Sequence, residues 1–576
     1  MTIRSLTPSL LIALVLSITI TSCNRKAHIY VYKSQENNFN FPEKELNLPS
    51  TGICFSGGGT RAMTSAIGQM KALDSLNLWS KVGYISSVSG GSWASSIFTY
   101  YQPTPNGPKN DSELLGTPLG AKQLTIAELE APISVKRMTH VMTKNLTGKL
   151  LEYLLKGDLS RGLLEKPQDI WIDAVGATYL QPFGLYGGEK KYFTLNDSTA
   201  KSIVRRSPKL KLSVADFYVV HRQAEDVKRP YLIINSAVLA PAELLPLPKP
   251  DSMTGFNYSP LGVGLAKFQE ISVNKEIEGI INYPVGGGFI EPYAMGGSAP
   301  IGATAPCGNV NHCATIELPT MHKFRLADAV GTSSAAFAST LAQSIPAEIL
   351  SEVLARGSII PEEPYWSVER PQIPAKPYRF ADGGNLENYG IISLIQRKVK
   401  KIVVFINTSS PIDTTFVAGQ SAPTAKTIDY DFYTLFADYK YEDFTANQTF
   451  SKEDFVNVFN QFKKCIRDST TVLARVKTKT ITNDWWGIPA GQEVEILWIY
   501  NYSVPKWEDQ LNSTIRNELS KGENGMFPNF PHYSTMFPYM KDRLVELSPA
   551  MTKLLYELQF WNVFENGDTF QDFFKN

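Results

Sequence analysis

Three glycine clusters, each closing an apolar run, constrain this chain more than any other feature: Ser56-Gly57-Gly58-Gly59, Ser89-Gly90-Gly91 and Asp382-Gly383-Gly384. The runs before them, Gly52–Phe55, Val82–Val88 and Phe380–Ala381, read as strands, as do Tyr231–Asn235 and Ile402–Asn407. After the first cluster Met63, Ala66, Ile67, Met70 and Leu73 recur at helical intervals, and after the second Trp93, Ile97, Tyr100 and Tyr101 mark one helical face. Short apolar strands interleaved with amphipathic helices predict an α/β fold, a three-layer sandwich with a mostly parallel central sheet, helical insertions and a helical C-terminal extension. In open sheets of this kind ligands bind beyond the carboxyl ends of the strands, where all three clusters fall.

Each cluster suits one chemical task. In Thr51 to Ala62 (TGICFSGGGTRA) the glycines let backbone N–H groups approach a negative oxygen, and the following helix adds its positive end. A phosphate-binding P-loop is excluded because Thr60-Arg61 stands where Lys-Ser/Thr is required, and the spacing is not that of a dinucleotide fingerprint. An oxyanion hole remains, with Gly57, Gly58 and Gly59 as donors together with Gly90 of the second cluster. That second cluster has the form of a nucleophile elbow, in which a sharp strand-to-helix turn holds the Ser89 hydroxyl out of the sheet. Ser87 stands two residues before it, where a glycine is usual. Asp382 is a carboxylate fixed at a strand end. A single D-G-G is a common turn; the three together form a nucleophile, a base and an anion cradle.

These segments resemble the patatin-like and cytosolic phospholipase A2 hydrolases, the latter more closely. The similarity rests on Ser56 to Met63 (SGGGTRAM), Ser89 to Trp93 (SGGSW), and Asp382-Gly383-Gly384 with Asn388. It continues through Phe289-Ile290, Leu326 to Phe337 (LADAVGTSSAAF) and Phe527 to Thr535 (FPNFPHYST). The resemblance implies a Ser-Asp dyad without histidine or cofactor, with Ser89 attacking and Asp382 accepting its proton. It implies that Arg61 holds a lipid phosphate; the alternative is a structural role at the helix start. The implied substrates are phospholipids or lysophospholipids. No metal is implied, and no calcium-binding module precedes the hydrolase region.

With 56 basic and 55 acidic residues and a net charge of +1, the chain lacks the footprint of a nucleic-acid binder. Membrane contact is expected from the N-terminus instead. Arg4 precedes an apolar run at residues 8–22, too short to span a bilayer comfortably, and Ile20-Thr21-Ser22 leads into Cys23. This resembles a bacterial lipoprotein signal peptide with a lipobox, which places the mature protein in the bacterial cell envelope, anchored through lipidated Cys23. Residues 1–22 are then the signal, 23–50 a lipidated tether, 51–410 the α/β acyl hydrolase core and 411–576 the C-terminal part of the same domain.

Within the core, residues 102–200 form an insertion in which Met138, Val141, Met142, Leu146, Leu150 and Leu154 keep helical spacing. They predict either a lid over a lipid site or a helix packed on the core. An aromatic-rich stretch from Tyr430 to Phe450 is also expected to be helical. Cys307 and Cys313 bracket a short polar loop, open to a disulfide or to a metal site with His312 that lacks a fourth clear ligand. Two rival functions remain: a Ser-His-Asp esterase drawing on one of six histidines, and a non-catalytic lipid-binding lipoprotein.

Overall fold

Side-chain parity along the central strands sets the layering. A computed structural model describes residues 25–35, 38–156, 169–224, 227–241, 253–275, 279–320, 322–336, 360–534 and 546–575. Cys23 and residues 1–22 lie outside the described residues. Among those described, fourteen strands share one mixed sheet: β1 (Arg25–Lys33), β2 (Thr51–Phe55), β3 (Tyr84–Val88), β4 (Tyr231–Pro241), β5 (Thr254–Tyr258), β6 (Val263–Leu265), β7 (Gly288–Ile290), β8 (Ala305–Pro306), β9 (His312–Leu318), β10 (Glu362–Tyr365), β11 (Lys376–Asp382), β12 (Lys401–Ile406), β13 (Leu473–Lys479) and β14 (Glu493–Tyr500). Their order is β8-β9-β1-β7-β6-β5-β4-β3-β2-β12-β14-β13, with β11 paired to β4 and β10 to β11.

The middle of the sheet, from β4 through β3, β2 and β12 to β14, is parallel. Its flanks are antiparallel, an extension that the five candidate strands do not reveal. Helices α1 (Gly59–Ser75), α2 (Ser89–Tyr100), α3 (Leu146–Lys156), α4 (Leu326–Ser333), α5 (Ile391–Gln396), α6 (Lys452–Arg467) and α7 (Pro549–Phe564) surround it. Ile53, Phe55, Val403, Phe405, Leu497 and Ile499 face one core with Met63 and Ile67 of α1 and Trp93 and Ile97 of α2. Cys54, Ile402, Val404, Ile496 and Trp498 face the other, with α5 and Phe455, Val458, Phe459 and Phe462 of α6. The parallel strands are thus covered on both sides, as such strands require, in a three-layer α/β sandwich.

Three segments depart from expectation. Residues 25–33, expected to belong to a tether, form β1, hydrogen-bonded between β7 and β9. The alternation of buried Ala27, Ile29 and Val31 with exposed Lys26 and His28 has the period of a half-buried strand. In the insertion, a 3-10 turn (Met138–Thr143) precedes α3, and Met138, Val141, Met142, Leu146 and Leu150 are buried in the main core. The aromatic stretch is helical only over Tyr430–Tyr433, and left-handed backbone at Asp438 and Glu442 breaks any longer helix. Its Phe432, Tyr433, Phe436, Tyr439 and Phe450 fill the second core, while Tyr430 and Tyr441 stack on each other near the surface. Cys307 and Cys313 form a disulfide. No described helix is long and apolar enough to cross a membrane.

Candidate active site

Ser89 and Asp382 are brought together by one strand. β3 runs parallel to the first half of β4 and ends with Val88 opposite Asn235. β11 runs antiparallel to the second half of β4 and ends with Asp382 opposite Ser236. Because β5 pairs with Ile234 to Val238 along one edge of β4, both β3 and β11 occupy the other edge and meet end to end. Two polypeptide ends that stop at adjacent rungs must then turn out of the sheet at the same point.

They do so differently. Ser89 begins α2 directly, with φ of 51°, a left-handed conformation that costs a non-glycine residue roughly 1–2 kcal/mol. Such strain is characteristic of an elbow and persists only where surrounding contacts enforce it. Here the Ser89 N–H donates to Ser333 Oγ (3.1 Å). Ser87 does not prevent the turn: it lies within β3 opposite Ile234, and its Oγ accepts from Ser92 Oγ at 3.2 Å. Asp382 is followed by a 3-10 turn, and its carboxylate accepts from the Gly384 N–H (2.7 Å).

The Ser89 hydroxyl lies near enough to the Asp382 carboxyl to draw its pKa down, as do the backbone amides of Gly384 and Ala336. Each of the two side chains is only 3% exposed. Burial pushes the Asp382 carboxyl up to about 6, against the opposing pull of Ser89, Gly384 and Ala336. A carboxylate so raised is a better proton acceptor at neutral pH than one near 4.

The glycine turn lies beside the pair. Gly58 has φ of 129°, open to glycine alone, and Gly59 begins α1. Gly90 must also be glycine, since a Cβ there would sit 2.0 Å from the Gly59 carbonyl oxygen. Two helix N-termini therefore converge, and the amides of a first turn have no intrahelical acceptor. Gly57 differs from the sequence expectation: its N–H donates to the Asn388 carbonyl (3.0 Å), so it is committed to joining the first cluster to the third. Gly59 and Gly90, in the first turns of α1 and α2, are the candidate amides of the cradle, and Gly58 supplies the turn between β2 and α1.

Arg61 also bonds backbone carbonyls. Its Nε donates to the Asn407 carbonyl (3.0 Å) and its Nη1 to the Tyr533 carbonyl (2.6 Å). A Cβ on Gly58 would come within 2.5 Å of its Nη2. Burial lowers its pKa to about 10, countered by Asp429 and Tyr500. A guanidinium buried at backbone carbonyls braces the glycine turn against the end of β12 and the 527–534 segment, the structural one of the two expected roles.

Around Asp382 stand acids that sequence inspection missed. Glu387 accepts from the N–H groups of Tyr389 (2.7 Å) and Gly390 (3.1 Å), and burial pushes it up to about 7. Asp431 is raised well above the carboxylate range by burial, with Asp429 and Glu387 adding to it and Asn388 opposing. Nothing in a single sequence marks them, because their neighbours are set by loop packing. Among the described residues no histidine touches the dyad: His140 meets the Ile133 carbonyl, His221 meets Gln102, His322 the Tyr293 carbonyl and His532 the Thr408 carbonyl. His28 contacts Thr315, and His312 lies in β9 beside the disulfide. The described residues hold no cluster of potential metal ligands.

A sheet of this order, parallel at its centre and covered by helices on both faces, belongs to the layered α/β class of folds. No family model matches the chain. It is 32% identical over 131 residues to mouse (Mus musculus) cytosolic phospholipase A2 zeta, covering 21% of this chain and 15% of the relative. The human zeta enzyme is 30% identical over 131 residues, again 21% of this chain and 15% of the relative. Human cytosolic phospholipase A2 delta is 46% identical over 50 residues, or 9% of this chain and 6% of that protein. These matches thus take in a small part of the relatives' length. The solved structure of human GIVD cytosolic phospholipase A2 aligns over 92% of this chain and 63% of that chain, with a TM-score of 0.51 at 13% identity. The fold is of the cytosolic phospholipase A2 type.

Proposed function

We propose that this chain is a serine hydrolase that cleaves fatty acyl esters of phospholipids or lysophospholipids through a Ser89–Asp382 dyad. The observation that carries the proposal is the buried juxtaposition of Ser89, on its left-handed elbow, with a carboxylate raised to about 6, beside the glycine turns of the first two clusters. The local likeness to named phospholipases supports the substrate class.

The geometry supports a two-step reaction. Ser89 Oγ attacks the ester carbonyl carbon while Asp382 accepts the hydroxyl proton. The carbonyl oxygen becomes an oxyanion held by the converging amides, each of which typically contributes about 2.7–4 kcal/mol of barrier lowering. Asp382 returns the proton to the departing alkoxide, leaving an acyl-serine. Water then attacks the acyl carbon, Asp382 takes its proton, and collapse of the second intermediate releases the fatty acid and restores the Ser89 hydroxyl. Arg61 acts as a brace of the glycine turn.

Residues 51–576 act as one catalytic domain in this proposal, since β13 and β14 extend the same sheet as β2 and β3. Lipidation at Cys23 holds it at the bacterial cell envelope, on the periplasmic face or the cell surface. The test is to incubate the mature protein with defined phospholipids and lysophospholipids and to trap its nucleophile with a fluorophosphonate. Fatty acid release with adduct at Ser89, both lost in Ser89→Ala, is expected. Adduct at another residue rejects the dyad.

A further inference from the structure

The LADAVGTSSAAF stretch has a place in the fold but no task in the two-step reaction above. Its helix α4 ends in the active site. Ser333, the last residue of α4, is fully buried and uses its hydroxyl three ways. Oγ accepts the Ser89 N–H (3.1 Å), donates to the Asn235 carbonyl (2.6 Å) and contacts Ser92 Oγ (3.0 Å). Asn235 is the rung of β4 that faces Val88, and its side-chain amide donates to Ser86 Oγ and the Ser87 carbonyl, both at 2.9 Å. Three residues further on, the Ala336 N–H reaches the Asp382 carboxylate. One short segment therefore touches the nucleophile at its backbone and the base at its carboxylate.

We infer that Ser333 is a positioning residue for the nucleophile: by holding the Ser89 N–H it fixes the left-handed elbow and aims the Ser89 hydroxyl at Asp382. The inference rests on the hydrolase proposal. Two physical points carry it. Ser89 occupies a backbone region that its own side chain disfavours, so a specific partner must hold it there. The partner found is a side chain rather than a ladder carbonyl, so it can be removed by substitution without altering a main-chain hydrogen bond of the sheet. Because Ser333 takes the Ser89 N–H, that amide is also withheld from the oxyanion cradle, which concentrates the cradle on the two glycine clusters.

Loss of this hydroxyl frees the elbow, shifts the Ser89 hydroxyl relative to Asp382 and so weakens one of the influences that hold the Asp382 carboxyl down. Groups that also act on this carboxylate are the amides of Gly384 and Ala336, and Asp431 lies within electrostatic reach of it. None of these contacts runs through Ser333.

The experiment compares wild type with Ser333→Ala in kcat, KM and pH profile on a soluble acyl ester, and in the rate of fluorophosphonate labelling. Ser334→Ala is the control, since that buried hydroxyl bonds the Val330 (3.0 Å) and Gly331 (3.2 Å) carbonyls of its own helix. Ser333→Ala is expected to lower kcat and labelling about ten- to hundredfold with KM within about twofold. Its acidic limb is expected to rise by about half a pH unit, while Ser334→Ala keeps the wild-type profile. If Ser333→Ala does not fold, Ser333→Cys, similar in shape and a weaker acceptor, is expected to shift kcat and the limb in the same directions. An active wild type with unchanged kcat and limb in the folded Ser333 variant overturns the inference alone. A wild type without turnover or labelling at Ser89 overturns the hydrolase proposal as well.

Discussion

Asp382 meets Ser89 because the strands that carry them end on adjacent rungs of one edge of β4, at Ser236 and Asn235. Their juxtaposition is therefore a product of sheet topology: neither side chain needs a long loop to reach the other. Disturbing the pair should disturb chemistry before it disturbs the fold.

In the proposed reaction the base sets the acidic side of the pH profile. Asp382 must be ionised to accept the serine proton, so kcat/KM is expected to fall below about pH 6 in proportion to its protonation. An imidazole produces a limb in the same region. Replacing His28, His140, His221, His312, His322 and His532 in turn separates the two, because a carboxylate limb stays in place in every variant.

Burial of the same carboxylate predicts a stability effect of defined sign. Its folded value of about 6 exceeds the ordinary 3.8, so the folded state binds its proton more tightly than the unfolded chain does. The stabilising contribution is complete below about pH 4 and is lost as pH rises through 6, amounting to roughly 3 kcal/mol. Asp382→Asn, inactive, is expected to melt above wild type at pH 8 and level with it near pH 4. A difference in melting temperature that does not vary with pH contradicts this.

Gly90 tests the cradle. A Cβ placed 2.0 Å from the Gly59 oxygen must push the two helix N-termini apart. Gly90→Ala is expected to lose about 100- to 1,000-fold in kcat, the cost of one misplaced oxyanion donor. Wild-type turnover in a folded Gly90→Ala protein would mean that the amides lie elsewhere.

Arg61 distinguishes bracing from phosphate recognition. One lysine ammonium cannot reproduce the fork to the Asn407 and Tyr533 carbonyls. Arg61→Lys should lower kcat equally on a phospholipid and on an uncharged acyl ester, with destabilisation visible in thermal melts. A rise in KM confined to the phospholipid points instead to a phosphate contact reached in another conformation.

The lipoprotein proposal has its own measurement. Cells supplied with labelled fatty acid should incorporate it into the full-length protein but not into Cys23→Ser. The variant should also leave the membrane fraction while keeping turnover of soluble esters.

Legibility in the sequence followed range of interaction. The glycine clusters were visible because each needs a residue type at a fixed offset, and α1 and α2 because Met63 to Leu73 and Trp93 to Tyr101 repeat with helical period. β1 escapes notice although Ala27, Ile29 and Val31 alternate, since polar Lys26 and His28 between them mask a half-buried strand. Ser333, Asn235 and Asp431 were invisible as site residues. Each matters through a partner supplied by another strand or loop, and residues such as serine and asparagine carry no periodic signature.

The position of β1 has a further consequence. It starts at Arg25, two residues beyond Cys23, and that first residue is already paired with Leu318 and bonded to the Leu210 and Thr320 carbonyls. If Cys23 carries acyl chains as proposed, the pull of that anchor falls on a strand hydrogen-bonded on both sides, to β9 and β7, and is therefore borne by the sheet itself.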